Sequence, residues 1–512
     1  MTELAPVTIR RVLERGRADA VAIAAPNRPP LAYADLRRHA DDTVRALNRL
    51  GIGRNDRVAV VLPNGPEMAA AFVTIAAGAS AAPLNPAYRE EEFTIYFSLL
   101  RPKLVVVPSW TRGEARAVAG KLGIPLAELH PRADAAAGLF DLERKAAVAA
   151  APAACGYAEP DDVGLLLHTS GTTARPKVVP LSHRNLGASA AHIARSLSLA
   201  PADRCLNIMP LFHIHGLTAA LLASLTAGAS VWCSPGFNAL AFFAWMREAD
   251  PTWYTAVPTM HQAIVSRARR HEEDIRRSRM RFVRSSSASL PPQVMQNLER
   301  TFGVPAVEAY GMTEATHQIA CNPLPPRMRK AGSVGLPAGP EVAVLDDAGR
   351  PLPPGGIGEV AIRGQNVAAG YQDDPAATAA AFRDGWFRTG DQGRMDEDGY
   401  LWLTGRLKEI INRGGEKFSP REVDEVLIDH PAVAQAVTFA VPHRKLGEEV
   451  AAAVVLRAGA TLTAHDLREF ADHRLSHFKV PRKVYFLDEI PRGPTGKPQR
   501  IGLATTLGLA EG

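Results

Sequence analysis

One stretch constrains this chain more than any other. In residues 163–177, VGLLLHTSGTTARPK, an apolar run breaks directly into a loop of hydroxyls, glycine and cations. A strand that opens into Thr169-Ser170-Gly171-Thr172-Thr173 sets backbone N–H groups and hydroxyl donors at its end. Such a loop can wrap phosphate oxygens, and Lys177 adds positive charge. A polar surface turn is the plainer alternative for the same residues. The spacing is not GxxxxGK[ST], so this is no Walker A loop and a P-loop kinase is disfavoured.

Around that stretch, strand and helix signals alternate. Residues 31–52 space their apolar positions as a helix does and end in glycine. RVAVVL at 57–62 reads as a strand, followed by the turn PNGPE. The alanine-rich run 68–84 reads as one buried helix and 105–108 as the next strand. The alternation continues to about residue 310 and predicts an α/β fold on a parallel sheet. The stretch 134–160, rich in Ala and Pro, reads as a surface loop or helix. Between 330 and 404, strands at 342–345 and 359–363 around DDAGRPLPPGG, then MDEDG and YLWLTG, predict a small β-rich subdomain. Beyond 405–408 the pattern becomes α+β. A helix over 419–429 opens at Ser419–Pro420 with Glu422 at capping-box distance. Strands at 433–441 and 449–456, a helix at 462–475 and a strand VYFL follow. The expected organisation is a large N-terminal domain over 1–405 and a small, mobile C-terminal α+β domain over 406–512.

Composition narrows the class. A length of 512 residues exceeds one compact core, and 46% hydrophobic with 22% charged residues excludes a disordered chain, a collagen and a coiled-coil rod. Lys and Arg number 59 against 53 Asp and Glu, a net +6 that suits anionic small ligands without any block basic enough for a nucleic-acid arm. The four cysteines form no CxxC pair, which disfavours a disulfide framework or zinc ribbon and fits a reducing cytosol. No signal-peptide core opens the chain, the run 68–84 is too weak to span a membrane, and AEG is no peroxisomal address. The expectation is a cytoplasmic monomer or homodimer acting on small molecules, with no nucleic acid and no membrane span.

The loop at 169–177 resembles the TSGTTGxPKG signature of the adenylate-forming superfamily, which holds acyl-CoA synthetases, luciferases and peptide-synthetase adenylation domains. Four further matches follow in that family's order: YGMTE at 310–314, WFRTGD at 386–391, GRLKE at 405–409 and GPTGK at 493–497. The resemblance covers essentially the whole chain. It departs at Ala174 and Val178, where the family usually has glycines, and at Ser286-Ser287-Ala288-Ser289-Leu290, where it usually has a GGAPL-like strand end.

The resemblance implies a two-step reaction with ATP, Mg²⁺ and coenzyme A. A carboxylate displaces pyrophosphate from the α-phosphorus of ATP, and a thiol then attacks the acyl carbon of the acyl-adenylate. An anion must approach a tetra-anion, so positioned cations are the remedy. Lys497 matches the lysine of the adenylation step, Thr313 an α-phosphate contact and Glu314, with Thr172, the Mg²⁺ ligands. Thr169, Ser170, Gly171, Thr172, Thr173 and Lys177 match the phosphate loop. Ser287, Ala288, Ala309, Tyr310 and Gly311 match the adenine side, and Asp391 and Arg406 the ribose. Lys408 matches the hinge, and Gly414 and Gly415 the passage for the CoA pantetheine. His213, in LFHIHG, matches the histidine at the carboxylate entrance, whereas a site role for His215 is disfavoured.

The acyl pocket is implied to lie near His213, Ser287, Ser289 and His317. Buried polar groups left unmatched cost about 1–3 kcal/mol each, so a fatty-acyl tunnel would want other residues. EAYGMTEATHQ at 308–318, with NPLPP at 322–326, is most similar to oxalyl-CoA synthetases. The implied substrate is oxalate, faced by His317, Ser289 and His213; another short-chain, dicarboxylic, aromatic or medium-chain acid is the alternative. A non-catalytic nucleotide-binding relative is one other class, and a free-standing carrier-protein loader or a luciferase-like oxygenase is another; retention of Lys497, Glu314 and Lys177 argues against the first.

Overall fold

The computed structural model describes residues 8–144, 151–169, 176–491 and 500–509. Residues 170–175 and 492–499, which hold Ser170, Gly171, Thr172, Thr173 and Lys497, lie outside the described residues. The chain divides into two units. Among the described residues, one holds 8–169, 177–342 and 362–387, and the other 343–361 and 388–509. The expected boundary at 405/406 falls within the second unit, between the strand Leu401–Arg406 and the 3-10 turn Leu407–Glu409.

The first unit is built on two sheets. In the seven-stranded sheet the order is Phe140–Arg144, Leu126–Pro131, Leu104–Pro108, Arg57–Val60, Ser80–Pro83, Val163–Thr169, Lys177–Ser182. Its inner pairs are parallel and its two outer pairs antiparallel. The nine-stranded sheet runs Leu336–Pro337, His317–Cys321, Ala306–Met312, Phe282–Ser285, Trp253–Ala256, Arg204–Asn207, Ser230–Cys233, Val21–Ala24, Leu31–Ala32. Helices cover the sheets with apolar stripes. Tyr33–Arg49 buries Leu36, Ala40, Val44 and Leu47 at helical spacing and packs on Pro66–Ala76.

Two expectations are corrected here. The run 68–84 is not one helix: Pro66–Ala76 is helical, and Ser80–Pro83 is a fully buried strand. Both halves are buried on every side, so no apolar face repeats to separate them, and the break comes at Ala77–Gly78. The stretch 134–160 contributes the edge strand Phe140–Arg144 rather than only a loop or helix.

Glu341–Leu345, Gly358–Arg363, Trp386–Met395 and Leu401–Arg406, most of whose residues belong to the second unit, are neighbours in a five-stranded sheet. A further five-stranded sheet joins Glu416–Phe418, Ile411–Arg413, Gly447–Leu456 and Val433–His443, with Lys483–Phe486 pairing parallel to Gly447–Leu456. The helices Pro420–Ile428 and Ala464–Asp472 pack against each other. Ser419 caps the first of them by accepting from the Arg421 N–H, but the expected capping box does not form, because Glu422 turns outward to pair with Lys479.

Candidate active site

In the nine-stranded sheet, Arg204–Asn207 has Ser230–Cys233 on one side and Trp253–Ala256 on the other, both parallel to it. The chain therefore reverses its direction of travel across the sheet at that strand. A crevice opens at the carboxyl ends of the strands at such a point. The segments 208–214, 286–290 and 313–316 all leave the carboxyl ends of parallel strands in this sheet, so its topology alone gathers three of the sequence motifs.

At the end of Phe282–Ser285 sits Arg284, fully buried at 0% exposure. Its Nη2 donates to His317 Nε2 at 3.2 Å and to Gln318 Oε1 at 3.4 Å. Its Nη1 lies 3.4 Å from both His215 Nε2 and Thr255 Oγ1. Among the described residues its Nε has no partner and no carboxylate pairs with the guanidinium, and burial pushes its pKa down to about 10. His215 is 2.6 Å from Thr255 Oγ1 through Nε2 and 3.0 Å from Ser287 Oγ through Nδ1. The His215 and His317 rings stack with centroids 5.0 Å apart. Burial first, then the fields of His317 and Arg284, hold His215 far below the usual imidazole range. The backbone here is strained: Ser287, Thr316 and His317 take φ of 70°, 50° and 95°. Such conformations cost about 1–3 kcal/mol each and persist only where surrounding structure over-determines them. Thr316 is clamped by its own hydroxyl on the Asn366 carbonyl at 2.7 Å and by Ser189 on its carbonyl at 2.6 Å.

Glu314 is the second focus. It is buried in the 3-10 turn Thr313–Ala315, and the Tyr371 hydroxyl donates to its Oε1 at 2.8 Å. Lys177 Nζ stands 4.5 Å over the Tyr371 ring. Thr169 and Lys177 are paired residues of an antiparallel ladder. Gly311 needs to be glycine: a Cβ there would lie 1.4 Å from the His317 carbonyl oxygen. Tyr310 and Ala309 are buried on the strand Ala306–Met312, and Ser286 Oγ donates to the Ala309 carbonyl at 2.8 Å.

His213 is half-buried, its ring 4.7 Å from that of Phe212. The adjoining His215 opens a π-helix, His215–Leu222, and Gly216 in its first turn is pressed so closely on Pro210 that a Cβ would sit 2.3 Å from its carbonyl oxygen. His168, one residue before Thr169, stacks on Tyr96 at 4.1 Å, and neither of its ring nitrogens has a partner. Burial and then His213 push its pKa down to about 3. Ser289 and Thr313 are half-buried and Ala288 exposed.

The structure thus ties Ser287 and His317 together through Arg284 and His215, and joins Lys177 to Glu314 through Tyr371. Arg284, His168 and Tyr371 were missed from sequence, and His215 was set aside. A charged residue inside the apolar strand FVRS was the one legible signal, for Arg284.

In the second unit, Asp391 and Arg406 face each other in an antiparallel pair and form an ion pair of 2.9 Å. Lys408 is exposed in the turn Leu407–Glu409. Gly414 and Gly415, with φ of 62° and 98°, are the two central residues of the hairpin between Arg413 and Glu416, where both positions need positive φ.

Comparison with known proteins gives the family. Residues 10–372 match the model of the AMP-binding enzyme family, and 422–497 that of the AMP-binding enzyme C-terminal domain. The chain belongs to the AMP-binding enzyme family. It is a ligase of the AMP-forming acyl-CoA synthetase class, with ATP and CoA as substrates. An oxalate–CoA ligase of Arabidopsis thaliana is 46% identical over 432 residues, 83% of each chain. A sulfoacetate–CoA ligase of Cupriavidus necator is 42% identical over 351 residues, 67% of each. The crystal structure of ATP-bound MatB from Rhodopseudomonas palustris superposes with a TM-score of 0.86 at 31% identity, covering 97% of this chain and 98% of that one. Among the described residues, no helix is long and apolar enough to cross a membrane.

Proposed function

We propose that this ligase activates a small dianionic acid, with oxalate as its substrate, to the acyl-CoA. The observation that carries this reading is the cluster of buried Arg284, His215 and His317 with half-buried Ser287 at the end of Phe282–Ser285. A hydrocarbon tail would leave the donor at the open end of this cluster unmatched at about 1–3 kcal/mol, whereas a carboxylate accepts from the Ser287 hydroxyl. The names of the two relatives support it, since oxalate and sulfoacetate are both short acids with two charges. Sulfoacetate, or a short dicarboxylic acid other than oxalate, is the second reading.

In this reading the acid's carboxylate attacks the α-phosphorus and pyrophosphate leaves; the CoA thiol then attacks the acyl carbon and AMP leaves. Lys497 and Lys177 offset the negative charge that gathers during the first step. Thr313 with the loop 169–173 binds phosphate, Tyr310, Ala309, Gly311 and Ala288 flank adenine, and Asp391 and Arg406 hold the ribose. Ser287, Ser289, His213 and His317 receive the acid, so Ser287 is moved here from the adenine side. Glu314 supplies the hard oxygen that Mg²⁺ prefers, with its carboxylate fixed by Tyr371, and Thr172 is the second ligand in this reading. When bound, Mg²⁺ neutralises phosphate charge. We place the functional boundary at 405/406, with Lys408 as hinge and Gly414 and Gly415 beside the pantetheine. The three buried free cysteines support a reducing cytoplasm.

The test is pyrophosphate release with ATP, Mg²⁺ and CoA across oxalate, sulfoacetate, malonate, acetate, butyrate, benzoate and octanoate. Oxalate is expected to give the highest kcat/KM. Preference for octanoate or benzoate with oxalate inert would overturn the reading.

A further inference from the structure

Arginine carries only donors, so any imidazole nitrogen it meets within hydrogen-bond distance is an acceptor. Both histidines that face Arg284 do so through Nε2, His317 at 3.2 Å and His215 at 3.4 Å. An imidazole that accepts at Nε2 is neutral and carries its proton on Nδ1. His215 Nδ1 therefore donates to Ser287 Oγ across 3.0 Å. That is the only partner of the Ser287 hydroxyl among the described residues. Its oxygen is used as an acceptor, and its own proton is left to be given away. Ser287 is half-buried at the open end of the strand Phe282–Ser285, and its φ of 70° holds it out of the strand direction.

We propose that Arg284 is a positioning residue for acid specificity: it locks His215 as the Nδ1–H tautomer, and His215 in turn commits the Ser287 hydroxyl to donate to the carboxylate of the substrate. The order is Arg284 N–H to His215 Nε2, His215 Nδ1–H to Ser287 Oγ, and Ser287 O–H to the acid. Arg284 does not touch the substrate in this scheme. Among the described residues no carboxylate takes up the donors that set the tautomers. Thr255, 2.6 Å from His215 Nε2, reinforces the choice by donating to the same nitrogen. Gln318 keeps the guanidinium in place, its amide nitrogen held in turn by Ser196 Oγ and the Ala338 carbonyl, each at 3.1 Å.

This rests on the reading that the acid binds at Ser287, and the experiment separates the two. In full-length wild-type enzyme with ¹⁵N,¹³C-labelled histidine, the resonance that disappears in His215→Asn is expected to show Nδ1–H chemical shifts. An Nε2–H tautomer there overturns the proposal whatever the acid turns out to be. Kinetics are then read with the best acid of the panel. Arg284→Met should lower kcat/KM for that acid at least about 30-fold, while KM for ATP stays within about twofold. Ser287→Ala should give a comparable loss, and Arg284→Met/Ser287→Ala should be no worse than the poorer single variant, since both break one chain. Multiplicative losses, or a matching rise in KM for ATP, would show a structural role or a phosphate contact and overturn the proposal. If Arg284→Met does not fold, Arg284→Lys serves: it keeps a cationic donor without the planar fork, and recovery of most of the acid kcat/KM with the Nδ1–H signal retained is expected. Loss of the signal with full activity overturns it.

Discussion

Tyr371 shows how one side chain can serve two charges. Its hydroxyl donates to Glu314 while its ring face lies under Lys177. A hydrogen-bonded carboxylate is held in one orientation, and losing such a supporting bond costs about 10–100-fold in metal affinity at a metal site. Tyr371→Phe keeps the ring and removes only the hydroxyl. The expected outcome is a rise of about tenfold in the Mg²⁺ concentration giving half-maximal pyrophosphate release, with the KM for acid little changed. An unchanged Mg²⁺ titration would separate Tyr371 from any role in holding the ion. At the same scale, the glycine of YGMTE is explained by sterics alone, since the His317 carbonyl occupies the space of a side chain.

At the scale of elements, the C-terminal unit is pinned by Arg500. Its Nε pairs with Glu409 at 2.9 Å, its Nη2 with Asp424 at 2.7 Å, and its Nη1 donates to the Thr438 carbonyl. It thereby ties the helix Pro420–Ile428 and the turn Leu407–Glu409 to the chain three positions beyond Lys497. Burial pushes the Asp424 carboxyl above its ordinary pKa even with Arg500 beside it. Arg500→Met would leave that acid buried and unpaired. The expected cost is about 3–5 kcal/mol, read as a lower urea midpoint of the full-length protein, and Arg500→Met/Asp424→Leu should recover most of it. Loss in the double variant equal to that in the single would show that the cation, not the pair, is what matters.

The whole molecule buries histidines in neutral form on several elements. Burial pushes His183 down to about 4 and His261 to about 3; His183 Nδ1 accepts from the Ile9 N–H at 3.1 Å, and His261 lies 3.1 Å from the Tyr254 hydroxyl. These groups are depressed on folding, so below pH 6.5 the unfolded chain binds protons that the folded chain refuses. Stability is therefore full above about pH 6.5 and lost as pH falls towards 4, by on the order of 3 kcal/mol for each histidine. The melting temperature is expected to drop steadily from pH 6.5 to 5, and His261→Leu should flatten that slope while lowering Tm throughout. A Tm independent of pH over that range would contradict neutral burial.

What the sequence determined by itself was whatever depends on neighbours along the chain. Alternating periodicities marked the α/β class, Ser419 marked its helix start, and the ordered motifs from Thr169 to Lys497 marked the family. Where chain-local signals are degenerate they misled: 68–84 is buried on all sides in both its helical and its extended half. Only the tertiary structure could decide what meets across the sheet. Arg284, His215 and His317 come from three segments, 69 and 33 residues from Arg284, and nothing local distinguishes His215 from a core histidine. Glu422 met the spacing of a capping box and yet bonds Lys479, 57 residues away. The physical reason is the same in each case. A hydrogen bond chooses a tautomer or a rotamer only once folding brings its partners together, and it counts most where they are buried. Burial is a property of the folded chain, set by strand order and not by sequence distance.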